Sequence, residues 1–194
     1  MQPSGLKESF SGVRQADAVD LGMLSVQAVK SISLRHLAMT WRRLRSDSGL
    51  PNFDDFQPGE RSHDLNRTVL WRVKERDSVR SFAPAFKGAH ILEAFGQRVF
   101  LEMIASQELR DIITSGLESC AESCNAIYMT IEAPDPENRP IECERLLLPF
   151  GEGRIAKYIF AAIEVSSIVG TFDRRTVVKR FEAQSRITLC GRIG

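Results

Sequence analysis

Cysteine is scarce in this chain, neither sign of charge dominates it, and none of its apolar runs is long. The four cysteines among 194 residues, Cys120, Cys124, Cys143 and Cys190, are too few and too scattered for a disulfide framework, so a reduced state is expected. Cys120 and Cys124 stand four apart, on one face of an expected helix. As half of a zinc site they need further ligands at compact spacing, and no paired Cys or His lies near them. Small buried helix residues are the preferred reading. With 26 basic and 25 acidic residues the formal net charge is +1, so no global field draws the chain to nucleic acid. The longest apolar stretches, such as residues 158–165, fall far short of the roughly 20 residues of a membrane-crossing helix. Residues 1–20 mix Ser, Gly, Lys, Glu and Arg without the apolar stretch and cleavage site of a secretory signal. A cytoplasmic location without membrane contact is expected.

Catalytic signatures are missing as well. No Gly-x-Ser-x-Gly elbow occurs, and Gly151-Glu152-Gly153 lacks the lysine and helix that make a glycine loop cradle phosphate. Glu142 and Glu144 share one face of an expected strand, which could pair two carboxylates for acid–base work. No helper residue accompanies them, and a solvated strand face is the preferred reading. No enzyme is expected.

What the chain does contain is one core's worth of patterned sequence: its length, 43% hydrophobic and 26% charged content suit a single globular domain with extensions. Residues 1–23 read as a flexible N-terminus, being polar and without a sustained period. Residues 24–63 read as a helix and linker. Within 24–45, Leu34, Leu37, Ala38, Trp41 and Leu44 recur at helical spacing with arginines on the other face and Ser33 as a plausible N-cap. Ser46, Asp47, Ser48 and Gly49 end the helix, and Pro58-Gly59 marks a turn in the linker. Residues 64–168 carry strand signals at 68–73 and 79–86 around an Arg76-Asp77-Ser78 turn. A helical period follows over 88–124, then strands at 126–132, 141–148 and 155–165. Two strands, short helices and three strands call for an antiparallel sheet with the helices packed on one face. In the last strand both alternating rows are apolar, so the second face needs a cover. The helix with Leu34, Leu37, Trp41 and Leu44 offers one, and a homodimer on that face is expected. Residues 169–194 read as a basic tail, with Arg174, Arg175, Lys179, Arg180, Arg186 and Arg192 against Asp173 and Glu182. Such a tail could meet a partner or nucleic acid, but no base-reading motif accompanies it, so a nucleic-acid partner is not the preferred reading.

Several landmarks occur in a fixed order: Trp41-Arg42-Arg43-Leu44-Arg45 with Pro51, Phe56-Gln57-Pro58, Gly88, Phe95-Gly96 and Leu146-Leu147-Leu148-Pro149-Phe150. In these the chain resembles a family of small PAS-like proteins common in alphaproteobacteria and mostly uncharacterised. The resemblance covers residues 34–165. It departs at Leu101, near where the family tends to place a second glycine, and in its first hairpin, which lacks one. The resemblance implies an α+β fold: a five-stranded antiparallel PAS-like sheet, a short helical crossover and the N-terminal amphipathic helix. It also implies a sensory or regulatory role through protein contacts, with an unidentified signalling protein as partner.

PAS-like folds hold ligands between the sheet and the crossover, so the implied lining is Phe82, Phe86, Phe95, Phe100, Met103, Ile127, Met129, Ile159 and Ile163. A packed core accounts for the same residues. A small-molecule-binding or catalytic protein using that cavity is the alternative class, and it needs a polar group converging on the cavity. The nearest, Tyr128, Thr130 and Arg145, fall by alternation on the opposite rows. Haem needs an axial ligand; of His36, His63 and His90, only His90 is placed to turn inward. No flavin-reactive motif surrounds Cys120 or Cys124. Neither haem nor flavin is expected, and the cofactor is left unassigned.

Overall fold

A computed structural model describes residues 21–47, 49–57, 65–95, 107–134, 139–167 and 186–193. The chain begins with a short strand β1 (Met23–Leu24) and a 3-10 turn (Val26–Ala28), followed by helix α1 (Ile32–Leu44). Strands β2 (Thr68–Arg76) and β3 (Val79–Lys87) precede helices α2 (Ala89–Phe95) and α3 (Gln107–Ser123). Strands β4 (Ala126–Pro134), β5 (Pro140–Glu152), β6 (Ile155–Ser167) and β7 (Arg186–Ile193) complete the order.

These strands form one sheet in the order β1-β7-β4-β5-β6-β2-β3, antiparallel except for the β1–β7 pair. The five expected strands are its contiguous block from β4 to β3. The sheet has seven strands rather than five because β7 adds to the free edge of β4 and β1 adds to β7. Residues 186–193, expected to belong to a basic tail, are therefore part of the sheet. Their run Ile187-Thr188-Leu189-Cys190 alternates and β-branches as a strand does, a signal outweighed by the arginines around it. Arg174, Arg175, Lys179 and Arg180 lie outside the described residues.

Local chemistry explains the turns. Asp77 and Ser78 both take positive φ, 52° and 65°, the primed two-residue turn whose twist suits a hairpin. At the β5–β6 turn Gly153 has φ 55°, and its carbonyl oxygen accepts from Leu50 N at 2.7 Å. Any Cβ on Gly49 would lie 2.2 Å from that oxygen, so the chain leaving α1 can close on the hairpin only as glycine.

Helix α1 occupies only the later part of the 24–45 stretch, and its N-cap is Ser31, two residues before the expected Ser33, accepting from Leu34 N at 3.4 Å. Its apolar stripe of Leu34, Leu37, Ala38 and Trp41 is buried. Register places α1 and α3 on opposite faces of the sheet. Leu146, Phe160 and Ala162 face α1, and Phe150 meets the rings of Phe53 and Phe56, the latter at 4.9 Å. Leu147, Met129, Ile127, Ile159 and Ala161 face α3. We call the α1 side the outer face and the α3 side the inner face. With both covered, the run from Ile141 to Phe150 is buried at every position.

The outer face is covered in cis. Leu34, Leu37 and Trp41 are at most 2% exposed within one chain, and Trp41 Nε1 donates to Pro149 O at 2.7 Å. Only Leu44 keeps an exposed edge. The apolar stripe is satisfied by the chain's own sheet.

Candidate functional site

On the outer face, carboxylates and hydroxyls gather where α1 begins. Glu144 Oε2 accepts from Lys30 N at 3.1 Å, Ser31 N at 2.9 Å and Tyr128 Oη at 2.6 Å. Glu142 beside it pairs with Lys30 Nζ, and Glu164, facing Glu144 across the β5–β6 ladder, accepts from Ser33 Oγ at 3.0 Å and pairs with Arg67. The first turn of α1 contains no acidic residue, and Glu144 brings the missing negative charge from the sheet to the helix's positive end. Burial, then the hydrogen bond to Glu144, push the Tyr128 hydroxyl's pKa well up, so it is a firm donor at neutral pH.

The expectation that Glu142 and Glu144 lie on a solvated strand face is thereby corrected: they are 8% and 5% exposed. Strand alternation correctly set them opposite Cys143 and Leu147, but the far face is covered too. Two of the three donors to Glu144 come from the start of α1, and the third, Tyr128 on β4, itself accepts from Lys30 N at 3.3 Å. Glu144 works as a latch.

The inner face differs in kind. Of the lining expected there, Ile127, Met129 and Ile159 are buried under α3 and Ile163 is half-buried at its edge. Phe82 faces the same way, paired with Val73. Phe86 does not: a register shift between Leu70 and Trp71 pairs it with Leu70 on the outer face, where it is 45% exposed. Phe100 and Met103 lie outside the described residues, as does the side chain of Phe95. His90 is exposed at the start of α2 and His36 is exposed on α1, while His63 lies outside the described residues. The position at which His90 could turn inward is thus corrected to the surface.

Arg145 is the residue that alternation was expected to turn away and that the register turns inward. It pairs with Met129 on one side and Ile163 on the other, in a row that ends at Cys190. Tyr128 and Thr130 do lie on the outer face, as expected. The Arg145 side chain is 5% exposed, and its Nη1 has no hydrogen-bond partner. The neighbouring carboxylates Glu142, Glu144 and Glu164 all lie on the outer face. Burial pulls the Arg145 pKa down to about 10, with the thiols of Cys143, Cys120 and Cys190 around it. The guanidinium is still fully charged at neutral pH. An enclosed charge without a counter-ion costs several kcal/mol.

Burial pushes the thiols of Cys120, Cys143 and Cys190 up, Cys143 to about 12, and Arg145 offsets only part of that rise. Such thiols are poor nucleophiles and poor metal ligands. Cys124, past the end of α3, donates its Sγ–H to Arg154 O at 3.1 Å. Among the described residues no cluster of His, Cys, Asp and Glu is arranged to hold a metal ion. A cleft of about 130 Å³ between the end of α1 and the β5–β6 turn, lined by Arg45, Leu50 and Arg154, is smaller than the ~300 Å³ at which ligand pockets begin.

The chain is thus an antiparallel sheet with a helical crossover on one face and an N-terminal helix latched to the other. A family model described as PAS domain matches residues 29–160. The match spans more than half of the chain, and the chain belongs to the PAS domain family. No curated protein and no solved structure gives a significant match. The matched segment holds α1, the crossover and most of the five-stranded block, while β1 and β7 lie outside it. Its landmarks have structural jobs. Trp41, Phe56 and Phe150 are core, and Gly88 crosses so close to Leu65 and Asn66 that a Cβ would lie 2.2 Å from a carbonyl oxygen.

Proposed function

We propose that this protein is a PAS sensory or regulatory module that acts through contacts with another protein. Membership of the PAS domain family carries the reading. The latch supports it, because it ties α1 to the sheet through a few exchangeable polar groups and gives the domain an element that can change its exposed surface. The output partner meets α1 or the sheet edge at β3, where Val79 and Phe86 are exposed. The homodimer, if part of this function, uses those surfaces rather than the stripe of Leu34, Leu37 and Trp41.

The test is proximity labelling in the host with the wild type and with E144Q, followed by reconstitution of any recovered pair from purified components without added ligand. A pair that forms at micromolar or tighter affinity, and whose affinity differs between the two chains, supports a regulatory module. Failure of every recovered protein to bind in purified form contradicts it.

A further inference from the structure

The inner face contains an enclosed charge that no described residue neutralises. Arg145 comes from the middle of β5 and points under α3, with Met129 and Ile163 as its neighbours in the ladder. Its Nη1 is buried without an acceptor. The three glutamates close to it in the sheet, Glu142, Glu144 and Glu164, occupy the opposite face and are engaged at the start of α1. A second donor on the same face is also enclosed without a partner, the indole Nε1 of Trp71, whose residue pairs with Ile159. Arg145 Nη1, Trp71 Nε1 and Arg192 Nε are thus three buried, unsatisfied donors on this face, and Arg145 is the one whose charge is enclosed as a whole.

The geometry points to a ligand site in which Arg145 anchors a small monocarboxylate whose apolar body lies against Met129, Leu147 and Ile163 beneath α3. The carboxylate is favoured because a planar guanidinium donates to it in parallel pairs. A single negative charge matches Arg145, the one cation of this face enclosed as a whole among the described residues; Arg192, on the same face, has a buried Nε but is half-exposed as a residue. A phosphate dianion would retain excess charge in an apolar surround. The assignment rests on the sensory reading above and supplies the chemical class of what is sensed.

Isothermal titration calorimetry on the full chain, dialysed exhaustively at high salt, tests it with octanoate, octan-1-ol and inorganic phosphate as probes. Octanoate is expected to bind one to one. The alcohol and phosphate are expected to bind at least about tenfold more weakly, and R145L to lose octanoate affinity by more than about tenfold, as when one partner of a buried charge pair is removed. Ligand-free R145L should melt at or above the wild type, since an unpaired buried charge has been replaced by an apolar side chain. Equal octanoate affinity in both chains overturns the proposal, as does the absence of binding by any straight-chain carboxylate from acetate to dodecanoate. So does an R145L chain that melts well below the ligand-free wild type, which would make Arg145 a structural cation. The partner reconstitution uses no added ligand, so either reading can fail while the other stands.

Discussion

Replacing Glu144 with glutamine keeps the side chain's size and removes the charge that holds the start of α1. Three donors meet Oε2: the amides of Lys30 and Ser31 and the hydroxyl of Tyr128. A hydrogen bond to a charged acceptor contributes about 1.5–3 kcal/mol and a neutral one about 0.5–1.5. Losing roughly 1 kcal/mol from each of the three gives about 3 kcal/mol. For a chain of this size, with about 2–4 °C per kcal/mol, E144Q should melt about 10 °C lower. Circular dichroism melting gives the global cost, and hydrogen exchange read by mass spectrometry locates it. Amides of α1 should lose protection well before those of β5 and β6, because the latch joins the helix to an otherwise intact sheet. Y128F removes one donor and should cost about 1–2 kcal/mol, and the double substitution should cost less than the sum, since both act on one network. An E144Q chain within about 0.5 kcal/mol of the wild type, with α1 protection unchanged, would refute the latch.

Other perturbations separate core from surface. W41F keeps an aromatic ring against the outer face but loses the hydrogen bond to Pro149 O; denaturant unfolding should show a loss of about 1 kcal/mol, and an unchanged midpoint would mean the bond contributes nothing. G88A places a Cβ 2.2 Å from Leu65 O, so the β3–α2 junction must shift. A loss of more than about 2 kcal/mol is expected by thermal or denaturant melting, and a neutral result would contradict that packing. Cys120 and Cys143 should resist a disulfide reagent such as Ellman's in the native chain and react only on unfolding, because burial holds both as thiols. Stability should be full below about pH 9 and fall as pH rises toward 12. The unfolded chain gives up the Cys143 proton near its ordinary value of 9.0, whereas the folded chain holds it to about 12. C143A should flatten that alkaline decline in pH-dependent melts, and an undiminished decline would assign it to other groups.

The sheet's central block was legible because its strands announce themselves twice, by β-branched alternation and by punctuation. Asp77-Ser78 and Gly151 to Gly153 sit where the chain reverses. Helix α1 was legible as an amphipathic element and as one cover for the sheet's second face, though periodicity reports that a face is buried and not by what. Strand β7 was hidden by composition: Arg186 and Arg192 made a strand look like the end of a basic tail. Arg145 was within reach of the sequence. It alternates with Cys143 and Leu147, the two positions read as inward, so parity alone puts it on the inner face; the habit of turning arginine to water overrode that signal. The latch was not legible, since the distance in sequence from Ser31 to Glu144 is closed only by the packing of α1 on β5. Phe86 was misplaced by the irregularity between Leu70 and Trp71, which flips the side a residue faces and leaves no mark in the local sequence.

The central claim is that the inner face under α3 is built around an anion that the described residues do not provide. Native mass spectrometry of the freshly purified full chain, set against its denatured mass and against R145L, tests it most directly. The expected result is a stoichiometric extra mass on the wild type that releases a small carboxylic acid on denaturation and is missing from R145L. A bare mass in both chains, or the same adduct on both, would contradict a ligand held by Arg145.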